Sequence, residues 1–150
     1  MFAPHQEQAA SELLRVCRSG GKIGLANWTP TSFIGDLFRL VGKYAPPPAG
    51  LKPGVLWGNE ERLRELFGDG IVSLHTTKRD YIFRYRSAAH WLEVFGTYYG
   101  PTATTLKALD ATRREQFSSE LLSLLESYNR AKDGTLVLPS EYLEAVAIRR

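Results

Sequence analysis

The stretch RSGGKIGLANWTP, residues 18–30, decides the reading of the fold. Upstream, His5 to Arg18 has helical spacing: Ala9, Leu13, Val16 and Cys17 share one side, and Gln6, Glu7, Glu12 and Arg15 face outward. Ser19, Gly20 and Gly21 then stop the helix, because glycine readily takes the left-handed conformation that closes one. The glycine pair is not a phosphate loop. It follows a helix and precedes a strand, and neither GxGxxG nor GxxxxGK[ST] occurs. Lys22 to Asn27 is short and mostly apolar and ends at Trp28. That composition predicts a strand in the interior of an α/β sheet covered on both faces.

Working outward, Thr29 or Thr31 can cap a helix running to about Val41, with a wide apolar face of Phe33, Ile34, Leu37, Phe38, Leu40 and Val41. Pro46, Pro47 and Pro48 favour an extended, rigid connection. Asn59 can cap a helix through Phe67, with Glu60 and Glu61 favouring its positive end. Ile71 to Tyr85 is strand-like, with a bend expected near Lys78–Asp80. Ser87 to Tyr99 predicts an aromatic helix that Pro101 breaks. Phe117, Leu121, Leu124, Leu125 and Tyr128 mark a long helix over about 110–130. Leu136 to Ile148 predicts a final strand with Pro139 as a bulge or edge feature. Three strands with five or six helices make an α/β chain short of sheet, which points to a missing half or a partner.

At 150 residues with 43% hydrophobic content, the chain has enough material for one domain with a real core. Nineteen basic residues against sixteen acidic ones give a net charge of +3, scattered without a dense basic block, so no nucleic acid partner is expected. Cys17 is the single cysteine, so no internal disulfide forms. No apolar run approaches membrane-spanning length, and residues 1–12 lack the pattern of a signal peptide. A cytoplasmic protein with no membrane partner is expected.

His5, His75 and His90 lie far apart without an HExxH arrangement, and one cysteine builds no zinc signature, so no metal site is expected. GxSxG is absent. No catalytic residue is identifiable. Asn27 and Trp28 end the first strand, where ligands of open α/β sheets commonly sit. Trp57, Trp91 and Tyr98, with Phe95 and Tyr99, are the other aromatic resource. They suit the lining of a small-molecule pocket or an apolar core. Asn27, Trp28, Trp57, Trp91 and Tyr98 are the candidate substrate-binding residues.

The stretch LLRVCRSGGKIGLANWTP, residues 13–30, resembles a segment of class I S-adenosylmethionine-dependent methyltransferases, with Ser19 where the family usually has proline. FIGDLFRLVGKYAPPPAGLKPGVLWGNEERLRELFG, residues 33–68, resembles the methyltransferase type 11 or type 25 subgroup. EYLEAVAIRR, residues 141–150, is similar to the family's last strand. The resemblance implies a partial Rossmann-like methyltransferase fold: the C-terminal half of one domain over residues 1–150, about three main strands with the last antiparallel, and a helical insertion at about 87–132. It implies S-adenosylmethionine as the methyl donor in complete relatives and a small-molecule acceptor. Phe2, Ala3, Pro4 and His5 would be the surviving part of the donor site. The glycine-rich donor-binding half is absent from these residues. The expectation is therefore a truncated domain, inactive alone, whose uncovered central strand favours a homo-oligomer. The alternative is a small-ligand-binding or dimerising protein built on the same half-fold.

Overall fold

The computed structural model describes Phe2, Ala3 and residues 5–150. In chain order its main elements are α1 (Gln6–Val16), β1 (Lys22–Trp28), α2 (Phe33–Tyr44), α3 (Glu60–Phe67), β2 (Ile71–Tyr85), α4 (Ala88–Tyr98), α5 (Gly100–Ala108), α6 (Ala111–Tyr128) and β3 (Leu136–Arg149). A 3-10 segment, Gly54–Gly58, leads into α3, and a second, Gly68–Gly70, follows it.

The strands form one sheet in the order β1-β3-β2. β3 runs antiparallel to β1, from Lys22 opposite Ile148 to Trp28 opposite Tyr142. It also runs antiparallel to β2. Arg150 N–H donates to the Gly70 carbonyl at 3.0 Å, and Arg79 pairs with Glu144 at 3.1 Å. The sheet is therefore wholly antiparallel. β1 and β2 do not pair with one another, because β3 lies between them.

This corrects the expected Rossmann-like architecture. A doubly wound core is built from parallel neighbours, and the described residues contain no parallel pair. The apolar run of β1 was the misleading signal. Its burial alternates: Ile23 and Asn27 are buried, whereas Lys22, Gly24 and Ala26 are exposed. That is the pattern of a sheet with one covered face, which antiparallel pairing permits. The methyltransferase reading, in its truncated-domain form and with its half-fold alternative, depended on the Rossmann-like core and is not retained.

A second correction concerns β2, which runs unbroken for 15 residues through Lys78–Asp80. β2 is an edge strand, where charged side chains reach solvent and serve the sheet as guards. Here Lys78 also pairs with Glu141 at 3.2 Å.

The chain divides into two compact units. The first comprises residues 1–32, 49–80 and 141–150. Its core joins Ala10 of α1, Ile23 of β1, Trp57, Leu63 and Phe67 around α3, and Leu143, Ala145 and Ala147 of β3. Gln6 ties this core to its surroundings: its amide donates to the Pro53 carbonyl at 3.0 Å and accepts from Arg62 Nε at 3.1 Å. Gly20, at φ 69°, makes the left-handed turn out of α1, and its N–H reaches the Arg149 carbonyl at 3.0 Å.

The second unit comprises residues 33–48 and 81–140. Its centre is aromatic. Trp91 and Phe95 stack with centroids 3.8 Å apart, and Phe33 meets Trp91 and Tyr128 edge-on. Asp110 and Ser87 cap α6 and α4 by accepting from the Arg113 and His90 N–H groups. Lys43 and the Tyr44 hydroxyl both bond Glu120, joining α2 to α6.

Leu63 is fully buried and Val72 is largely exposed. Leu63→Ala is expected to cost about 3 kcal/mol, and Val72→Ala less than about 0.5 kcal/mol, in urea unfolding of the whole chain. Equal losses would show that the α3 core is not packed as described.

Candidate functional site

Described residues of the first unit line a polar hollow and an apolar groove. The larger is a polar hollow of about 500 Å³ at the end of β1. Its walls are Thr29, Pro30 and Thr31 after β1, Gly58 to Glu61 entering α3, Thr76 and Lys78 of β2, and Leu143 of β3.

The local sequence builds these walls step by step. The Thr29 N–H continues the β1·β3 ladder by donating to the Glu141 carbonyl at 3.1 Å, and the Ser32 hydroxyl donates to the Thr29 carbonyl at 3.0 Å. The turn after β1 is therefore pinned at both ends. Gly58 packs directly on the Trp28 backbone: a Cβ there would lie 2.0 Å from the Trp28 carbonyl oxygen. Only glycine allows this approach. The next residue, Asn59, caps α3 by accepting from the Arg62 N–H at 2.7 Å.

Glu60 is clamped from two sides. One carboxylate oxygen accepts from Arg64 at 2.6 Å, and the other accepts a short bond from the Thr76 hydroxyl. The Thr76 bond, then the Arg64 bond, hold its pKa below the usual carboxylate range. Lys78 is engaged with Glu141. The Thr31 hydroxyl, the Asn59 side-chain N–H groups and the Glu61 carboxylate make no hydrogen bond to another described residue, and they face the same hollow. This set offers donors, a hydroxyl and one uncommitted negative charge.

The second concavity is a groove of about 410 Å³ between α1 and β1, lined by Ala3, Ala9, Glu12, Leu13, Val16, Leu25, Asn27 and Trp57. It is mostly apolar. Glu7, beside it on α1, bridges Lys52 and Arg62, and those two hydrogen bonds lower its pKa to about 2.

The candidates from the sequence fall in different places. Ala3, Asn27 and Trp57 come together in the groove. Asn27 is 7% exposed, and its carboxamide makes no hydrogen bond to another described residue. Trp57 is 4% exposed, and its indole nitrogen has no acceptor among the described residues. Phe2 and His5 are exposed, and Pro4 lies outside the described residues. Trp28 is half-buried, edge-on to Tyr142. Trp91 is a core residue of the second unit, 0% exposed, and Tyr98 is a surface residue at 82%. No group of three His, Cys, Asp or Glu residues among those described is arranged to hold a metal. No helix of the described residues is long and apolar enough to cross a membrane.

Sequence reasoning missed the polar hollow. Its walls come from four separate segments, and its threonines and glutamates belong to a class with no motif. The one available signal was Gly58-Asn59-Glu60, where a glycine of close approach precedes a helix cap.

No family model matches the chain. It is similar to uncharacterized protein Rv1405c of Mycobacterium tuberculosis, 35% identical over 154 aligned residues that cover 100% of this chain and 55% of that protein. Uncharacterized protein Mb1440c of Mycobacterium bovis matches to the same extent. Uncharacterized protein Rv1403c of Mycobacterium tuberculosis is 36% identical over 129 residues, 85% of this chain and 45% of that protein. The chain thus spans about half the length of the curated relatives it matches.

The clamp on Glu60 has a measurable sign. A carboxylate whose folded pKa is depressed adds stability above its unfolded value, and that stability is lost as pH falls through the folded value. In Thr76→Val the largest cause of the depression is removed. The Glu60 titration midpoint, followed by carboxyl-carbon NMR, is expected to rise toward the ordinary carboxylate range. An unchanged midpoint would mean that the Thr76 bond does not form in solution.

Proposed function

We propose that the first unit is a binding module for a small polar ligand carrying a protonated amine beside a hydroxyl group. The reading rests on the hollow at the end of β1, in particular on Glu61 standing uncommitted beside the Thr31 hydroxyl and the Asn59 side chain. Glu61 would face the cation, Thr31 would accept from or donate to the hydroxyl, and the Asn59 N–H groups would donate to a ligand oxygen.

The neighbouring charges favour recognition over proton transfer. Glu60 is held ionised by Thr76 and Arg64, so it is a poor proton donor near neutrality. Lys78 is paired with Glu141, so the charge left for a ligand is negative. The hollow's volume lies within the range of ordinary small-molecule sites.

Titration calorimetry with ethanolamine, serine and glucosamine, against inorganic phosphate and acetate as anionic controls, tests this. The amines are expected to bind and the anions to give no heat. Glu61→Gln is expected to weaken amine binding about fivefold, the scale of one partly exposed charge interaction. Binding of the anions instead, or amine affinity unchanged by Glu61→Gln, would overturn the proposal.

A further inference from the structure

The polar hollow holds one positive charge of its own. Lys78 is the single cation among the described residues that line it, set against the carboxylates of Glu60 and Glu61. A free lysine there would attract an anion and repel an amine. Lys78 is not free: its Nζ lies 3.2 Å from Glu141 Oε1.

Glu141 does two separate things. Its main-chain carbonyl accepts from the Thr29 N–H at 3.1 Å and from the Thr29 hydroxyl at 3.3 Å. Those bonds fix the first wall residue of the hollow and need no side chain on Glu141. The carboxylate is left over for Lys78. Strand alternation brings the two partners together. On β3, Glu141 shares a face with Leu143, which lines the hollow. On β2, Lys78 shares a face with Thr76, and both line it. Arg79 and Glu144, paired at 3.1 Å, join the same two strands from positions of opposite parity, and neither is in the hollow's walls. The sheet thus carries two like bridges, of which the Lys78–Glu141 pair borders the hollow.

We propose that Glu141 is a positioning residue that sets the sign of charge the hollow accepts. By engaging Lys78 it keeps the site selective for cations, and without its carboxylate the hollow takes an anion. The inference rests on the reading of the hollow as an amine site. The other polar groups do not discriminate: the Thr31 hydroxyl and the Asn59 N–H groups suit an anion's oxygens as well as those of a hydroxylated amine. Charge alone separates the two ligand classes. Glu60 is committed to Thr76 and Arg64, which leaves Glu61 as the unbalanced charge. Removing the Glu141 carboxylate makes Lys78 a second unbalanced charge of opposite sign. The bridge is itself a surface pair that contributes little to stability, so the site can be altered without unfolding the sheet.

Titration calorimetry of the whole chain with ethanolamine and inorganic phosphate, at low salt, tests this. The wild-type chain is expected to take ethanolamine and to give no heat with phosphate. Glu141→Gln is expected to bind phosphate at least about fivefold more tightly than the wild-type limit and to weaken ethanolamine about threefold, the scale of a partly exposed charge. Adding Lys78→Gln to Glu141→Gln is expected to abolish the phosphate gain. Glu141→Asp, which keeps the charge, is expected to exclude phosphate. Glu144→Gln frees Arg79 with the same change in net charge and is expected to leave both affinities within about twofold. The Thr29 amide is expected to keep its wild-type hydrogen-exchange protection in Glu141→Gln, because its acceptor is main chain. An absent phosphate gain in Glu141→Gln, or an equal gain in Glu144→Gln, would overturn this inference while ethanolamine binding by the wild type leaves the amine reading standing. Loss of Thr29 protection in Glu141→Gln would overturn it too, by showing that the side chain holds the wall. A wild-type chain that takes no ethanolamine overturns the amine reading, and this inference with it.

Discussion

The pairing of β1 with β3 is the constraint on which the first unit depends. It joins residues 22–28 to residues 142–148, near opposite ends of the sequence. Its final bond, from the Thr29 N–H to the Glu141 carbonyl, fixes where β1 stops and the following turn begins. That turn is one wall of the polar hollow. The same pairing sets which face of β1 carries Ile23, Leu25 and Asn27 toward α1, and so creates the groove. A slip of one residue would exchange these side chains for Lys22, Gly24 and Ala26. Both concavities would then be lost together.

Local structure was legible in the sequence where a single residue type dictates it. Asn59 caps α3 as expected, and the helix it opens ends at Phe67. The turn at Ser19–Gly21 follows α1 and hands over to β1. Pro101 separates two helices as expected: α4 ends at Tyr98, and the proline sits in the first turn of α5, where its missing N–H leaves no bond unmade. Strand partnership was not legible. KIGLAN is apolar enough for a strand covered on both faces, and its composition carries no record of the neighbour that β3 becomes. Nor does the charged triplet Lys78–Asp80 announce whether it bends a strand or lines its edge. Long-range pairing decided both cases.

The candidate site shows the same division. Asn27 was singled out for standing at a strand end, and Trp57 as one of the aromatics suited to line a pocket or a core. The fold brings both into one groove with Ala3. Trp91 and Tyr98 shared the aromatic argument, yet one is a core residue of the second unit and the other a surface residue. Aromatic content reports a need for burial and leaves its location open. The hollow is less legible still, since its threonines and glutamates are individually ordinary and acquire meaning through Gly58, whose lack of a side chain lets α3 close onto the Trp28 backbone.

The place of β3 between β1 and β2 has a consequence for synthesis. A chain emerging from the ribosome presents β1 and β2 long before the strand that separates them. Neither can complete its ladder until β3 is made, so the sheet is assembled late and through contacts of high sequence separation. Until then two strand edges travel without their shared neighbour, the condition in which growing chains are most prone to aggregate. The second unit, whose helices α4, α5 and α6 follow one another directly, can gather its aromatic centre in the meantime. The order of events is thereby written into the topology: helices first, with the sheet closed by the final strand.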